Sequence, residues 1–540
     1  MTTELLPGLR VSVTTPEPEP DPARTDVAAL LGGFRRGPVG TACRVRSWTE
    51  AQQLFGSIDG RHRTPYAVRG FFANGGRTAW LIRIGGAGAA TASATWTVAA
   101  RGADGEWPAD TPARGGFRHS AYRIEATSPG AWANQTRVSI TFRASSVAGP
   151  PVVSLRVLTP GEPAETFAEV PPADVVERLT ASRLIRLVPA PGSESPGQRQ
   201  TGPLTRRWDL TLGATRETAG ADPVPAEPAY REAFAVQSAL PEPALVAIPD
   251  LGAHFTGAEQ RRTLVRDLLA EIAPLNDRLA VLDVTAGEPA SADGIRAWLA
   301  GLTSAGERDL RRSAAVYHPE VRVPDPADPL GGLRSVPASG HVTGLIARLD
   351  AERGAHHTPA NAALLEVVDL AVVHPEEQEA LLFGAGVNLL RAPAGRGPLV
   401  WGGRTLAVRP PAGGDPDGTV PDDAVPGVRF IAHRRLVHLL VRAARRVAEP
   451  LIFEVNGPEL RFALVRGITS VLLAAYRSGA LAGNRPEEAF AVVCDERNNP
   501  PDADPATVVC DIGVAPANPM EFIDIRLVLG QDRALEVIEQ

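Results

Sequence analysis

Residues 26–84 and 244–317 share one texture: short apolar runs alternate with amphipathic stretches of helical length. Segments 27–33, 79–84, 244–248, 278–284 and 314–317 read as buried strands. Segments 47–55, 66–74, 259–272 and 293–302 read as helices. Ser47 suits an N-cap, Glu50 suits the reciprocal capping-box position, and Gly75-Gly76 stops the second helix. Strands alternating with helices predict a mostly parallel sheet covered by helices. The intervening residues break that rhythm. Gly/Ala-rich or Pro-rich breaks fall near 85–95, 101–116, 189–203 and 213–229, with period-two segments at 122–126, 138–142 and 152–158 and a short helix at 174–179. The simplest reading is a β-rich domain inserted into an α/β one.

From residue 428 the pattern is helical, then stranded. Val437, Leu440, Val441 and Ala444 lie at helical spacing, and Pro458 opens a second helix with a stripe of Leu460, Leu464, Ile468 and Leu472. Strands follow at 489–494, 507–514 and 521–529. The fold class expected is therefore α/β and α+β multidomain. The expected divisions are an N-terminal arm at 1–25, α/β segments at 26–90 and 236–427, a β-rich insert at 91–235 and an α+β domain at 428–540.

Both ends carry strand patterns outside these domains. Leu9, Val11 and Val13 alternate with polar residues and precede Thr15-Pro-Glu-Pro-Glu-Pro-Asp-Pro22, a stiff, extended tract. Such a strand has no hairpin partner; it is either a frayed terminus or a strand donated to another sheet. Leu535, Val537 and Ile538 give a similar alternation at the other end.

Composition closes several functional classes. Basic residues number 55, and every one is arginine. A P-loop lysine, a Schiff-base lysine and a kinase strand lysine are thereby excluded. The run Ile84–Ala90 lacks the third glycine of a dinucleotide loop. The ten histidines form no H-E-x-x-H; His356 and His357 diverge on a helix or strand, and His433 and His438 miss a shared helical face. No catalytic, cofactor or metal site is expected. Cys43, Cys494 and Cys510 form no C-x-x-C, so free thiols are expected. With net charge −7, nucleic-acid binding is not expected. Met1–Arg10 does not read as a signal peptide, and no stretch reaches the ~20 apolar residues of a membrane span. Arg434, Arg435, Arg442, Arg445 and Arg446 cluster on one helix, a solvated face or a basic surface for an acidic partner.

Several segments resemble contractile phage-tail sheath proteins. They include Arg36-Gly-Pro-Val39, Pro65-Tyr-Ala-Val-Arg-Gly-Phe-Phe-Ala-Asn-Gly-Gly-Arg77, Ser128-Pro-Gly-Ala-Trp-Ala-Asn134, and Ala338-Ser-Gly-His-Val-Thr-Gly-Leu-Ile-Ala-Arg348. Gly386-Val-Asn-Leu-Leu-Arg391, Gly395–Gly402, Gly479-Ala-Leu-Ala-Gly483, Pro486–Phe490, Asn499-Pro500 and Ile512-Gly-Val-Ala-Pro516 continue the likeness in order. The resemblance implies a tail-sheath fold with extended terminal arms. It implies a structural subunit that polymerises around an inner tube protein and contracts to drive it through an envelope. Implied partners are identical sheath subunits in helical or stacked-ring array, the inner tube, and baseplate and cap proteins, with no nucleic acid and no membrane insertion. Assembly would be in a bacterial cytoplasm, with the product open to release as a phage-tail-like particle. Leu9, Val11, Val13, Leu535, Val537 and Ile538 would supply inter-subunit strands, and the arginine helix would face the tube. A hydrolytic α/β enzyme with a β-rich accessory domain is the alternative, and a surface adhesin a third reading.

Overall fold

A computed structural model describes residues 23–98, 120–143, 152–189, 205–285, 291–302, 307–407, 429–502, 504, 506–517, 523–529 and 535–539. The expected strand at Leu9, Val11 and Val13 lies outside the described residues.

One nine-stranded sheet gathers strands from both α/β segments. Its parallel run is Thr78–Arg83, Val27–Gly32, Leu245–Ala247, Leu279–Asp283, Ala314–His318 and Val387–Arg391, in that spatial order. Antiparallel strands close both sides: Ala42–Val45 beside Thr78–Arg83, and Leu399–Trp401 then Ala362–Ala363 beyond Val387–Arg391. Alternate residues of each parallel strand feed two separate cores. Ala28, Leu30, Leu81, Leu245 and Val281 meet Val68, Phe71, Val342 and Leu345 on one face. Ala29, Leu31, Ile82, Val246 and Leu282 meet Tyr230, Phe234, Leu264 and Leu268 on the other. Burial on both faces is why these strands read as continuous apolar runs.

The expected capping signal acts with a shifted partner. Ser47 Oγ accepts from Glu50 N at 3.1 Å, but Glu50 reaches back to Arg46 N at 2.7 Å. Helices Thr64–Ala73 and Ser339–Arg353 cross very closely. A Cβ on Gly344 would fall 2.3 Å from the Phe71 carbonyl oxygen, and one on Gly340 would fall 2.4 Å from Ala67 Cα. The motif spanning Ala338–Arg348 thus has a packing reason: its glycines let one backbone lie on the other.

Strands between Ser93 and Thr211 form a three-stranded and a four-stranded antiparallel sheet around Trp96, Tyr122, Ile140 and Leu155. The expected boundary at 235/236 falls inside the helix Glu227–Ser238. Pro228, at the first turn of this helix, favours its start, and Tyr230, Ala233 and Phe234 pack on the nine-stranded sheet, so the chain rejoins the α/β layers earlier than its texture suggested. The C-terminal region packs helices Ile431–Ala448 and Pro458–Arg477 on a four-stranded sheet, ordered Phe490–Val493, Val508–Val514, Ile523–Leu529, Leu535–Glu539.

Candidate functional site

Helix Ile431–Ala448 joins the two large parts of the molecule. Leu436, Val437, Leu440 and Val441 pack with Leu464, Ile468 and Leu472 of helix Pro458–Arg477. The arginines turn to the α/β domain. Arg434 donates to Asn276 Oδ1 at 2.7 Å. Arg435 donates to the Thr25 carbonyl at 2.7 Å and pairs with Asp350. Arg442 donates to the carbonyls of Pro241 (2.8 Å), Glu242 (2.5 Å) and Pro243 (3.1 Å). Arg445 meets Asp277 Oδ2 at 2.7 Å and the Leu275 carbonyl at 2.5 Å.

These bonds correct the expected basic surface. Arg434 and Arg435 are 1% exposed and Arg442 2%, so no outside tube can touch them. They are an internal clamp: Arg435 holds the Thr25 carbonyl ahead of Val27–Gly32, Arg442 the carbonyls ahead of Leu245–Ala247, and Arg434 the Asn276 side chain ahead of Leu279–Asp283. Arg445 is partly exposed and Arg446 exposed. A guanidinium suits this role because its planar fork reaches several carbonyls at once. Burial pulls the Arg442 pKa down to about 10, with Asp277 opposing. Burial also pushes the Asp350 carboxyl up, against the pull of Arg435. His438 sits among Arg434, Arg435, Arg442 and Arg312; burial first, then these charges, hold it well below the ordinary imidazole range and therefore neutral.

The C-terminal sheet offers a different kind of site. Among the described residues, the edge strand Phe490–Val493 pairs on one side only, with Val508–Val514. Beside it lies a groove of about 580 Å³ lined by Pro458, Arg461, Phe462, Val465, Cys494 and Asp495. Phe462 is 68% exposed. At the opposite edge, Leu535, Val537 and Ile538 lie in the strand Leu535–Glu539, which pairs antiparallel with Ile523–Leu529 of the same chain. The arginine helix and the C-terminal strand Leu535–Glu539 thus occupy an interior and an edge. Cys494 and Cys510 are free and buried, and Cys43 is free and half-buried. His356 and His357 follow the helix Ser339–Arg353 in a turn, so their rings lie 4.3 Å apart instead of diverging. Sequence reasoning missed one cluster, His62, Asp250 and His254, because His62 lies far along the chain from the other two.

Comparison with known proteins agrees with this architecture. Residues 309–406 match the family model described as the phage tail sheath protein central domain. No curated protein sequence matches the chain. Among solved structures, a sheath tail protein from Desulfitobacterium hafniense is similar at TM-score 0.58 and 13% identity, over 97% of this chain and 100% of that one. A sheath tail protein from Listeria innocua is similar at TM-score 0.61 and 10% identity, over 93% and 95%. The anti-feeding prophage baseplate in its contracted state contains a chain similar at TM-score 0.53 and 17% identity, over 96% and 97%. Residues 309–406 are thus similar to the phage tail sheath central domain, and nearly the whole chain shares the fold of the sheath tail proteins.

Proposed function

We propose that this chain is a structural sheath subunit that polymerises around an inner tube and contracts to drive it through a target envelope. The observation that carries the reading is end-to-end similarity: the fold of sheath tail proteins covers 97% of this chain and 100% of the first relative. The structural relatives are sheath and baseplate components, so the reading as a hydrolytic enzyme is set aside.

The parts divide the work. The α/β layers and the arginine clamp make one stiff body. The C-terminal sheet supplies edges for strand exchange, where a donated strand gains main-chain hydrogen bonds. Residues 9–13 would add to a neighbour's sheet from their proline-rich strap. Residues 535–539, paired here within one chain, would make the same ladder between subunits. Contacts of this head-to-tail kind build rings where the rotation closes and a helix where it does not. Contraction then needs a second packing of the same bodies at lower free energy. Partners on this reading are identical subunits, an inner tube, a baseplate and a cap. Of the five arginines, Arg445 and Arg446 would be the ones to meet the tube, since the other three are buried. No helix among the described residues is long and apolar enough to cross a membrane. Assembly in a bacterial cytoplasm, with release as a particle, fits the reading.

Negative-stain electron microscopy of the purified chain, alone and with its inner tube protein, tests it. Striated tubes are expected; monomers that never assemble under either condition would contradict it.

A further inference from the structure

The order of the nine-stranded sheet reverses between Val27–Gly32 and Leu245–Ala247. From Val27–Gly32 the chain moves one way to Thr78–Arg83; from Leu245–Ala247 it moves the other way to Leu279–Asp283. Loops leaving the carboxyl ends of these two neighbouring strands diverge, and such a reversal is where open α/β sheets hold ligands. Gly33 leaves the first strand here, and the second runs on to Asp250 and the short helix Leu251–His254. The loop before helix Thr64–Ala73 brings His62 to the same point. One ligand atom each from His62, Asp250 and His254 lies within 4.8 Å of the others.

The surroundings fix these three side chains. Asp250 is fully buried. Its Oδ2 accepts from Gly33 N (2.8 Å), Thr64 N (3.1 Å) and Thr64 Oγ1 (2.6 Å), while Oδ1 accepts only from Arg63 N (2.5 Å). Oδ1 therefore keeps a lone pair. His254 comes one helical turn after Asp250, and its Nδ1 lies 2.8 Å from the Tyr230 hydroxyl. Its Nε2 is buried and has no hydrogen-bond partner among the described residues. The His62 and His254 rings meet edge to face with centroids 6.0 Å apart. A Cβ on Gly33 would fall 2.1 Å from His62 Nδ1, so glycine clears the space the imidazole fills. The donors from Gly33, Arg63 and Thr64 account for the carboxylate. They do not account for a buried His254 Nε2 that has no hydrogen-bond partner among the described residues and sits on a ring packed edge to face with a second imidazole.

We propose that His62, Asp250 and His254 bind one divalent cation of the zinc class through two imidazole nitrogens and a carboxylate oxygen. Two nitrogens and one oxygen suit a borderline metal such as Zn2+ over Ca2+ or Mg2+. Tyr230 acts as a positioning residue, holding the His254 ring from its far nitrogen as ligating histidines are commonly held. The ion would cross-link the loop before Thr64–Ala73 to the turn after Leu245–Ala247, across the reversal of the sheet.

The test uses tag-free full-length protein, stripped with a chelator and titrated with Zn2+ against a chromophoric competitor. One tight site per chain is expected, with a raised thermal midpoint on loading. His62→Ala and His254→Ala should each weaken binding at least tenfold and abolish the thermal shift, and Tyr230→Phe should weaken it by roughly 10–100-fold. Circular dichroism checks that the variants fold. Asp250 is left intact because it holds four donors. If a variant does not fold, X-ray absorption of the zinc-loaded natural chain decides: two imidazoles around the metal support the site, none overturns it. A natural chain without stoichiometric binding overturns the proposal. So do histidine variants that bind as tightly as the natural chain.

Discussion

The nine-stranded sheet and the C-terminal four-stranded sheet solve opposite problems with the same ladder. The first is covered on both faces by helices. The second packs one core against two helices and, among the described residues, leaves Phe490–Val493 unpaired on its outer side. An unpaired strand edge is a template for another chain, which soluble proteins normally blunt. Here the edge stands beside a groove with Phe462 exposed. On the proposed reading, rigidity and linkage fall to separate sheets, joined by one helix that carries buried arginines.

Perturbing the rigid half should cost folding, and the largest effect should come from the clamp. Asp350→Ala leaves Arg435 buried without its carboxylate, a loss of about 3–5 kcal/mol measured by denaturant unfolding. Arg442→Glu should likewise destabilise the monomer, whereas Arg446→Glu, on the exposed end of the same helix, should leave it folded. Gly344→Val forces a side chain against the Phe71 carbonyl, and the upper end of the ~1–3 kcal/mol typical of overpacking is expected. Acid should weaken the same helix crossing. His341 is buried there and its pKa is lowered to about 4, chiefly by burial. Between its unfolded value of about 6.5 and the folded one, the unfolded chain binds the extra proton. Stability from this group is therefore full above pH ~6.5 and falls as pH drops toward 4, by roughly 2 kcal/mol between pH 7 and 5. Unfolding of His341→Gln across that range should show a shallower acid slope. Phe462→Ala, beside the open edge, should change monomer stability by no more than about 0.5 kcal/mol while reducing assembly.

Legibility in the sequence followed how local the determining physics is. The parallel strands, the Ser47 cap and the helix Pro458–Arg477 were readable because period, cap and proline act within a few residues. The ordered motifs pointed to the sheath fold that the structural relatives share. The fate of the arginine helix was not readable. Its polar and apolar residues look like a solvated face and a core face, yet Arg434, Arg435 and Arg442 are buried as well because the helix lies between the α/β layers and the C-terminal helix. The helix Glu227–Ser238 was not read as one: its start fell in the Pro-rich break at 213–229 and the next residues in the β-rich insert to 235, because its apolar stripe is short, with Tyr230, Ala233 and Phe234. The His62, Asp250 and His254 cluster depends on strand order, which no local pattern encodes.

Removing residues 1–20 separates the two roles most directly, by measuring thermal unfolding and tube formation on the same preparation. An unchanged midpoint and no tubes are predicted if, as proposed, the arm links subunits and the α/β body folds without it. Normal tubes from the truncated chain would contradict this division of roles, and so would a truncated chain that no longer folds.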